Sequence, residues 1–87
     1  MTPEQLLLIA REFCRRYGAT VTDYAALVAA ASASTAKIDG ISAHASRAQA
    51  AAALRRVLEG TPPVSKHGDF FALTCERVFV ALETRTT

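Results

Sequence analysis

Apolar residues recur at helical spacing in four stretches of the chain. In the first, Leu6, Ile9, Ala10, Phe13 and Tyr17 trace one face. Thr2 and Pro3 supply an N-cap and a first helical position, Gln5 is placed for a capping box, and Gly18 is placed to end the helix. Leu8 falls off that face, near Glu4, Arg11 and Arg15, where it is either a lone exposed leucine or one contact of a partner surface. The second stretch puts Tyr24, Leu27, Val28, Ala31 and Thr35 on one side, with Thr22 or Thr20 as cap and Asp23 in the first turn. It weakens at Ser32-Ala-Ser-Thr35, where small polar side chains compete for the backbone.

Asp39-Gly40 is a turn signal, but the runs flanking it are too short to predict paired strands. A third helix, roughly 43–59, is built on alanine with Leu54, Val57 and Leu58 as larger anchors, and Gly60 followed by Pro62-Pro63 stops it. Ala43, Arg47, Ala50, Ala51, Leu54 and Leu58 share one side of it. Arg47 is the odd member: its stem lies along apolar surface, or its guanidinium pairs with Asp23, Asp69 or an anionic ligand. The fourth helix, about 69–83, places Phe71, Cys75, Val78 and Leu82 on one face and Phe70, Leu73, Val80 and Ala81 on others. A helix apolar most of the way round belongs in the middle of a fold. The expectation is an all-α protein: a small compact bundle of about four helices forming one domain over 1–83, with the C-terminal helix central, wrapped by the other three, and a disordered tail at 84–87.

Eighteen of the 87 residues are alanine, and between Ala29 and Ala53 only Ile38 and Ile41 are larger apolar residues, so the middle of the chain must pack closely or loosely. A chain this short buries only about 60–65% of its unfolded surface, so a protein partner or pairing with itself would help it. Ten basic and eight acidic side chains leave a charge of +2, too little to point to nucleic acid; a recognition helix over 38–53 would offer base edges little but alanine. Nothing approaches the run of about 20 apolar residues that spans a bilayer, and Glu4 precedes Leu6–Ala10 where a signal peptide needs positive charge, so no membrane is implied and a cytoplasmic setting is expected. Cys14 and Cys75 lie far apart beside apolar residues and read as small buried thiols. No metal site is expected, because His44 and His67 lack ligand-spaced Cys or carboxylate neighbours.

The stretch with chemical content is Ser65-Lys-His-Gly-Asp69, immediately before the fourth helix. Free N–H groups, the positive end of the helix dipole and a glycine favour an anion or nucleotide there, with Lys66 and His67 adding charge or a proton-transfer group. The plainer alternative is that Asp69 caps the helix while Lys66 and His67 are solvated. Ser65, His67 and Asp69 do not read as a catalytic triad, since a five-residue loop leaves a base no room between nucleophile and orienter.

Thr22-Asp-Tyr-Ala-Ala-Leu-Val-Ala-Ala30, Arg47-Ala-Gln-Ala-Ala-Ala-Ala-Leu54 and the Pro62-Pro63 loop leading to Phe71-Ala72 resemble short actinobacterial Fic/Doc-type toxin components of toxin–antitoxin systems. The resemblance covers roughly 20–83, and Arg16-Tyr17-Gly18 is similar to the opening of such proteins. It implies a toxin that acts on or docks to a cytoplasmic host protein, an antitoxin as partner, and a nucleotide with Mg as cofactor. The family motif His-Pro-Phe-x-x-Gly-Asn-x-Arg carries over only at Gly68: Pro63 stands for its histidine, Asp69 for its asparagine and Phe71 for its arginine. Without the base and the phosphate-binding arginine, standard adenylyl or phosphoryl transfer is not expected, and the resemblance implies a degenerate member. The alternative from the residues themselves is a non-enzymatic helical protein–protein interaction module, phage or host encoded, binding through the first or the alanine-rich helix.

Overall fold

The computed structural model describes residues 1–35, 37–38, 41–42 and 46–85, with side chains over 1–35 and 46–81. Four helices, α1 (Pro3–Tyr17), α2 (Tyr24–Ser34), α3 (Arg47–Gly60) and α4 (Gly68–Arg85), form an all-α bundle. Local sequence sets the ends of α1. Thr2 accepts from the Gln5 N–H while the Gln5 side chain accepts from the Thr2 N–H, completing the capping box. Gly18 sits at φ 66°, the left-handed conformation that a helix end asks of glycine.

The start of α2 differs from expectation. Asp23 itself is the N-cap and accepts from the Ala26 N–H at 3.1 Å. Thr20 and Thr22 are engaged elsewhere: their backbones pair with the loop ahead of α4. At the other end Ser34 and Thr35 hydroxyls both donate to the Ala31 carbonyl, the competition for backbone groups that ends the helix.

Between α2 and α3, β1 (Lys37–Ile38) and β2 (Ile41–Ser42) pair antiparallel, Lys37 opposite Ser42 and Ile38 opposite Ile41. Paired strands were not expected here. The two residues that separate them, Asp-Gly, are the sequence that a two-residue hairpin connection favours, and that outweighs the shortness of the flanks. α3 begins at Arg47, later than expected, because Ser46 caps it by accepting from the Gln49 N–H at 3.2 Å. Ala43 and His44 lie outside the described residues.

The core gathers Leu6, Ala10 and Phe13 from α1, Leu27, Ala30 and Ala31 from α2, Ala50, Ala51, Leu54 and Leu58 from α3, and Phe71, Ala72, Cys75 and Phe79 from α4, with Val64 between. α4 thus contributes to the centre, but it is not wrapped by all three other helices. α3 packs against both α2 and α4 and stands between them, α1 closes over α2 and part of α4, and α2 does not reach α4. The alanines of α3 allow this, since a small-residue surface lets two neighbours approach one helix. Arg55 adds a tie across α3 and α4, donating to Glu76 at 3.2 Å with Glu59 alongside at 3.4 Å.

Two predicted faces are rotated. On α2, Tyr24 and Val28 are exposed and the buried side is Ala26, Leu27, Ala30, Ala31 and Ser34. On α4, the buried stripe runs through Phe71, Ala72, Cys75 and Phe79, leaving Phe70 and Val80 in solvent. α4 continues as helix to Arg85, two residues into the predicted tail; 86–87 lie outside the described residues.

Candidate functional site

The loop that sequence marks as chemical is committed to structure at several points. Val64 bridges Val21 antiparallel. The Pro63 carbonyl accepts from the Thr22 N–H at 2.7 Å and from the Asp23 N–H at 3.3 Å. Ser65 is held twice: its N–H donates to the Thr20 carbonyl at 2.9 Å and its hydroxyl accepts from the Thr20 N–H at 2.9 Å. That hydroxyl is a clasp between two loops.

Gly68 also has a packing reason. A Cβ built there would stand 3.0 Å from the Pro62 Cβ, tighter than an ordinary contact, so a side chain at this position would press on Pro62. His67 takes φ 58°, a left-handed conformation uncommon outside glycine, and its carbonyl accepts the Phe71 N–H at 2.9 Å, the first hydrogen bond of α4. His67 therefore stands at the cap position, and Asp69, expected to cap the helix, lies in the first turn as an exposed residue.

Lys66, His67 and Asp69 are all exposed. The structure brings the His67 ring edge-on to Tyr17, 6.2 Å between centroids, rather than toward Ser65 or a carboxylate. Arg47 is exposed at the first position of α3, one turn ahead of Ala50 and Ala51 on the side that its spacing gives it. Among the described residues no buried side-chain nitrogen or oxygen lacks a hydrogen bond, and no three His, Cys, Asp or Glu side chains converge as metal ligands. Cys75 is fully buried, which pushes its thiol up to about 12; Cys14, half-buried, is also raised by burial. Neither is a thiolate at neutral pH.

One recess of about 390 Å³ lies between α3 and α4, lined by Ala48, Ala51, Glu76, Arg77, Val80 and Ala81, and another, walled by larger side chains, lies between α1 and α4. Their helices run antiparallel, with Phe13 and Tyr17 of α1 against Phe70 and Phe71 of α4: Phe13 to Phe71 is 5.2 Å edge-on, Phe13 to Phe70 5.8 Å and Tyr17 to Phe70 5.4 Å between centroids. These rings prop the two helices apart. The result is an open trough of about 390 Å³ lined chiefly by Leu8, Ile9, Phe13, Tyr17, Thr74 and Val78, with Glu12 and Arg16 on its rim.

The trough is apolar in effect as well as composition. Leu8 is 66% exposed, Phe70 47% and Tyr17 43%, a grouping of large apolar surface rather than single scattered residues. Thr74, the polar member of its lining on α4, donates its hydroxyl back to the Phe70 carbonyl at 2.8 Å, so its hydrogen is already used. On the rim Glu12 accepts from Arg15, in a forked contact, and from Arg16 at 3.1 Å. Those hydrogen bonds hold the Glu12 carboxyl down at about 2.

Of the residues singled out from sequence, Leu8 belongs to this trough and the loop residues do not line it. Its other walls were missed: Tyr17 was assigned to the core, and Phe70 was counted as one more apolar position of a buried helix. The available signal was the excess. α4 has more apolar positions than one buried stripe can use, and Leu8 sits one position beyond the buried face of the neighbouring helix.

Among the described residues no helix is long and apolar enough to cross a membrane. No protein-family model, curated protein or solved structure matches the chain.

Proposed function

We propose that this chain is a non-enzymatic helical protein–protein interaction module that binds one protein partner in the trough between α1 and α4. The observation that carries the reading is the open apolar trough itself: large side chains stand in solvent at its edge, and among the described residues every buried side-chain nitrogen and oxygen is paired. A small bundle with a thin stability margin gains from covering such a surface. The loop before α4 supports the same conclusion by its occupation, since Ser65 and Gly68 serve the fold.

A second reading retains a specific support. Lys66 and Asp69 are exposed at the start of an 18-residue helix, and this suits a degenerate Fic/Doc-like toxin component that docks on a cytoplasmic host protein and is neutralised by an antitoxin.

The two separate in one experiment. A photo-crosslinking amino acid is placed at Leu8 or at Lys66, and growth and adducts are followed after induced expression in the source cell. The interaction module predicts one stoichiometric adduct from position 8 that disappears on Val78→Glu, with growth indifferent to Lys66→Ala/His67→Ala/Asp69→Ala. Growth arrest that the triple loop variant relieves, with magnesium-dependent nucleotide binding by calorimetry, would overturn it in favour of the toxin.

A further inference from the structure

α2 carries no charged side chain along its length, yet one side of it stands in solvent. Tyr24 is 59% exposed and Val28 50%, and Ser32 continues their row at i, i+4 and i+8, with Ala25 and Ala29 exposed beside them. A helix that faces water ordinarily sets charge on that side. Next to this row Leu7 of α1 and Val28 share a hollow of about 150 Å³, with Glu4 and Tyr24 also in its walls. Glu4, Leu7 and Arg11 stand at i, i+3 and i+7, on one side of α1. Glu4 and Arg11 are exposed, and among the described residues neither is in an ion pair, whereas Arg15 and Arg16 are tied to Glu12. This face is separate from the trough, whose second wall is α4.

The order of side chains along the two helices is complementary to itself. About Leu7, α1 offers an acid at one end, Glu4, and a base at the other, Arg11. About Val28, α2 offers a large ring one turn before, Tyr24, and a small side chain one turn after, Ser32. A two-fold axis lying in this face, crossing α1 beside Leu7 and α2 at Val28, reverses both helices. It sets Glu4 against the other copy's Arg11, Tyr24 over the other copy's Ser32, and the two Val28 side chains together. One axis serves charge and shape at once because Leu7 and Val28 already meet at the hollow.

We infer that the α1–α2 face receives a second copy of this chain in a two-fold symmetric contact. The contact is independent of whatever binds in the trough, so it goes beyond the interaction-module reading. An isologous interface requires a surface complementary to itself, which this one is. The uncharged row of α2 supplies the apolar contact, while the exposed Glu4 and Arg11 orient the copies. An axis running along the helices instead would set Glu4 against Glu4 and Arg11 against Arg11, and is disfavoured. Two helices about 10 Å wide, over about 20 Å of length, make a small face. The dimer therefore belongs with the weaker associations, in the micromolar range.

Sedimentation equilibrium of the full chain from about 5 to about 500 µM tests this. A monomer–dimer equilibrium is expected, and Val28→Glu, which sets two carboxylates together at the axis, should leave monomer throughout. Glu4→Arg and Arg11→Glu should each weaken the dimer about tenfold or more at low salt. An equimolar mixture of those two variants should regain it, because each then meets the opposite charge in the other at both ends. The double variant Glu4→Arg/Arg11→Glu should regain it alone. All three positions are exposed, and circular dichroism checks the fold of every variant.

Monomer over the whole range overturns the inference and leaves the trough reading untouched. A dimer that survives Val28→Glu but is dispersed by Val78→Glu assigns self-association to the trough, and also overturns it. So does a dimer indifferent to both charge reversals, or a pair of folded single variants that stay apart when mixed.

Discussion

α3 with α2, and α1 with α4, are both helix contacts of one small domain, yet the first closes on small residues and the second opens into a trough. The first meets through small residues: Ala26, Ala30 and Ala31 on α2 and Ala50 on α3 are buried. The second meets through Phe13 and Tyr17 against Phe70 and Phe71, whose rings stand 5.2 to 5.8 Å apart between centroids. Alanine surfaces let backbones approach until no space is left, and aromatic surfaces touch first at the rings and hold the backbones off. Side-chain size, more than the number of apolar residues, sets the character of each contact.

The hardest way to break that contrast is to remove the buried ring of the α1–α4 contact. Phe71 is fully buried and stacked edge-on against Phe13, so Phe71→Ala should cost about 3–5 kcal/mol. Against a total of about 5–15 kcal/mol, at the low end for so short a chain, this should leave much of the protein unfolded in thermal or urea melts. A loss under about 1 kcal/mol would mean that the rings do not set the α1–α4 spacing.

A smaller effect sharpens it. Ala30 is fully buried in the closed side, so Ala30→Leu should overpack it and cost about 1–3 kcal/mol. Leu8→Ala at the edge of the open side should stay within about 0.5 kcal/mol in the same urea titration. Similar losses for the two variants would show that both sides are equally filled.

This contrast explains what could be read from the sequence and what could not. Four helices, their Thr2 capping box and the Gly18 stop were legible because each depends on residues within one turn of each other. The rotated faces of α2 and α4 were not. In an alanine-rich helix the larger residues are not the buried ones by default: Tyr24 and Val28 stand out because α2 uses its alanines to approach its neighbours. The Val21–Val64 bridge was equally hidden, since a pairing between two loops more than forty residues apart leaves no local period. The same holds for the chemistry of the Ser65–Asp69 loop. Its residue types suit an anion, but the partner of Ser65 is Thr20 and the neighbour of Gly68 is Pro62, and neither relation can be read from spacing.

The smallest effect lies on the rim of the trough. Glu12 is exposed, and hydrogen bonds from Arg15 and then Arg16 lower its carboxyl from the ordinary 4.5 to about 2. A carboxyl lowered on folding stabilises the fold above its unfolded value and loses that contribution as pH falls through the folded one. The melting temperature of the native chain should therefore exceed that of Glu12→Gln slightly near neutral pH, and the gap should close between pH 4.5 and about 2. High salt should narrow it as well, because the pair is screened by solvent.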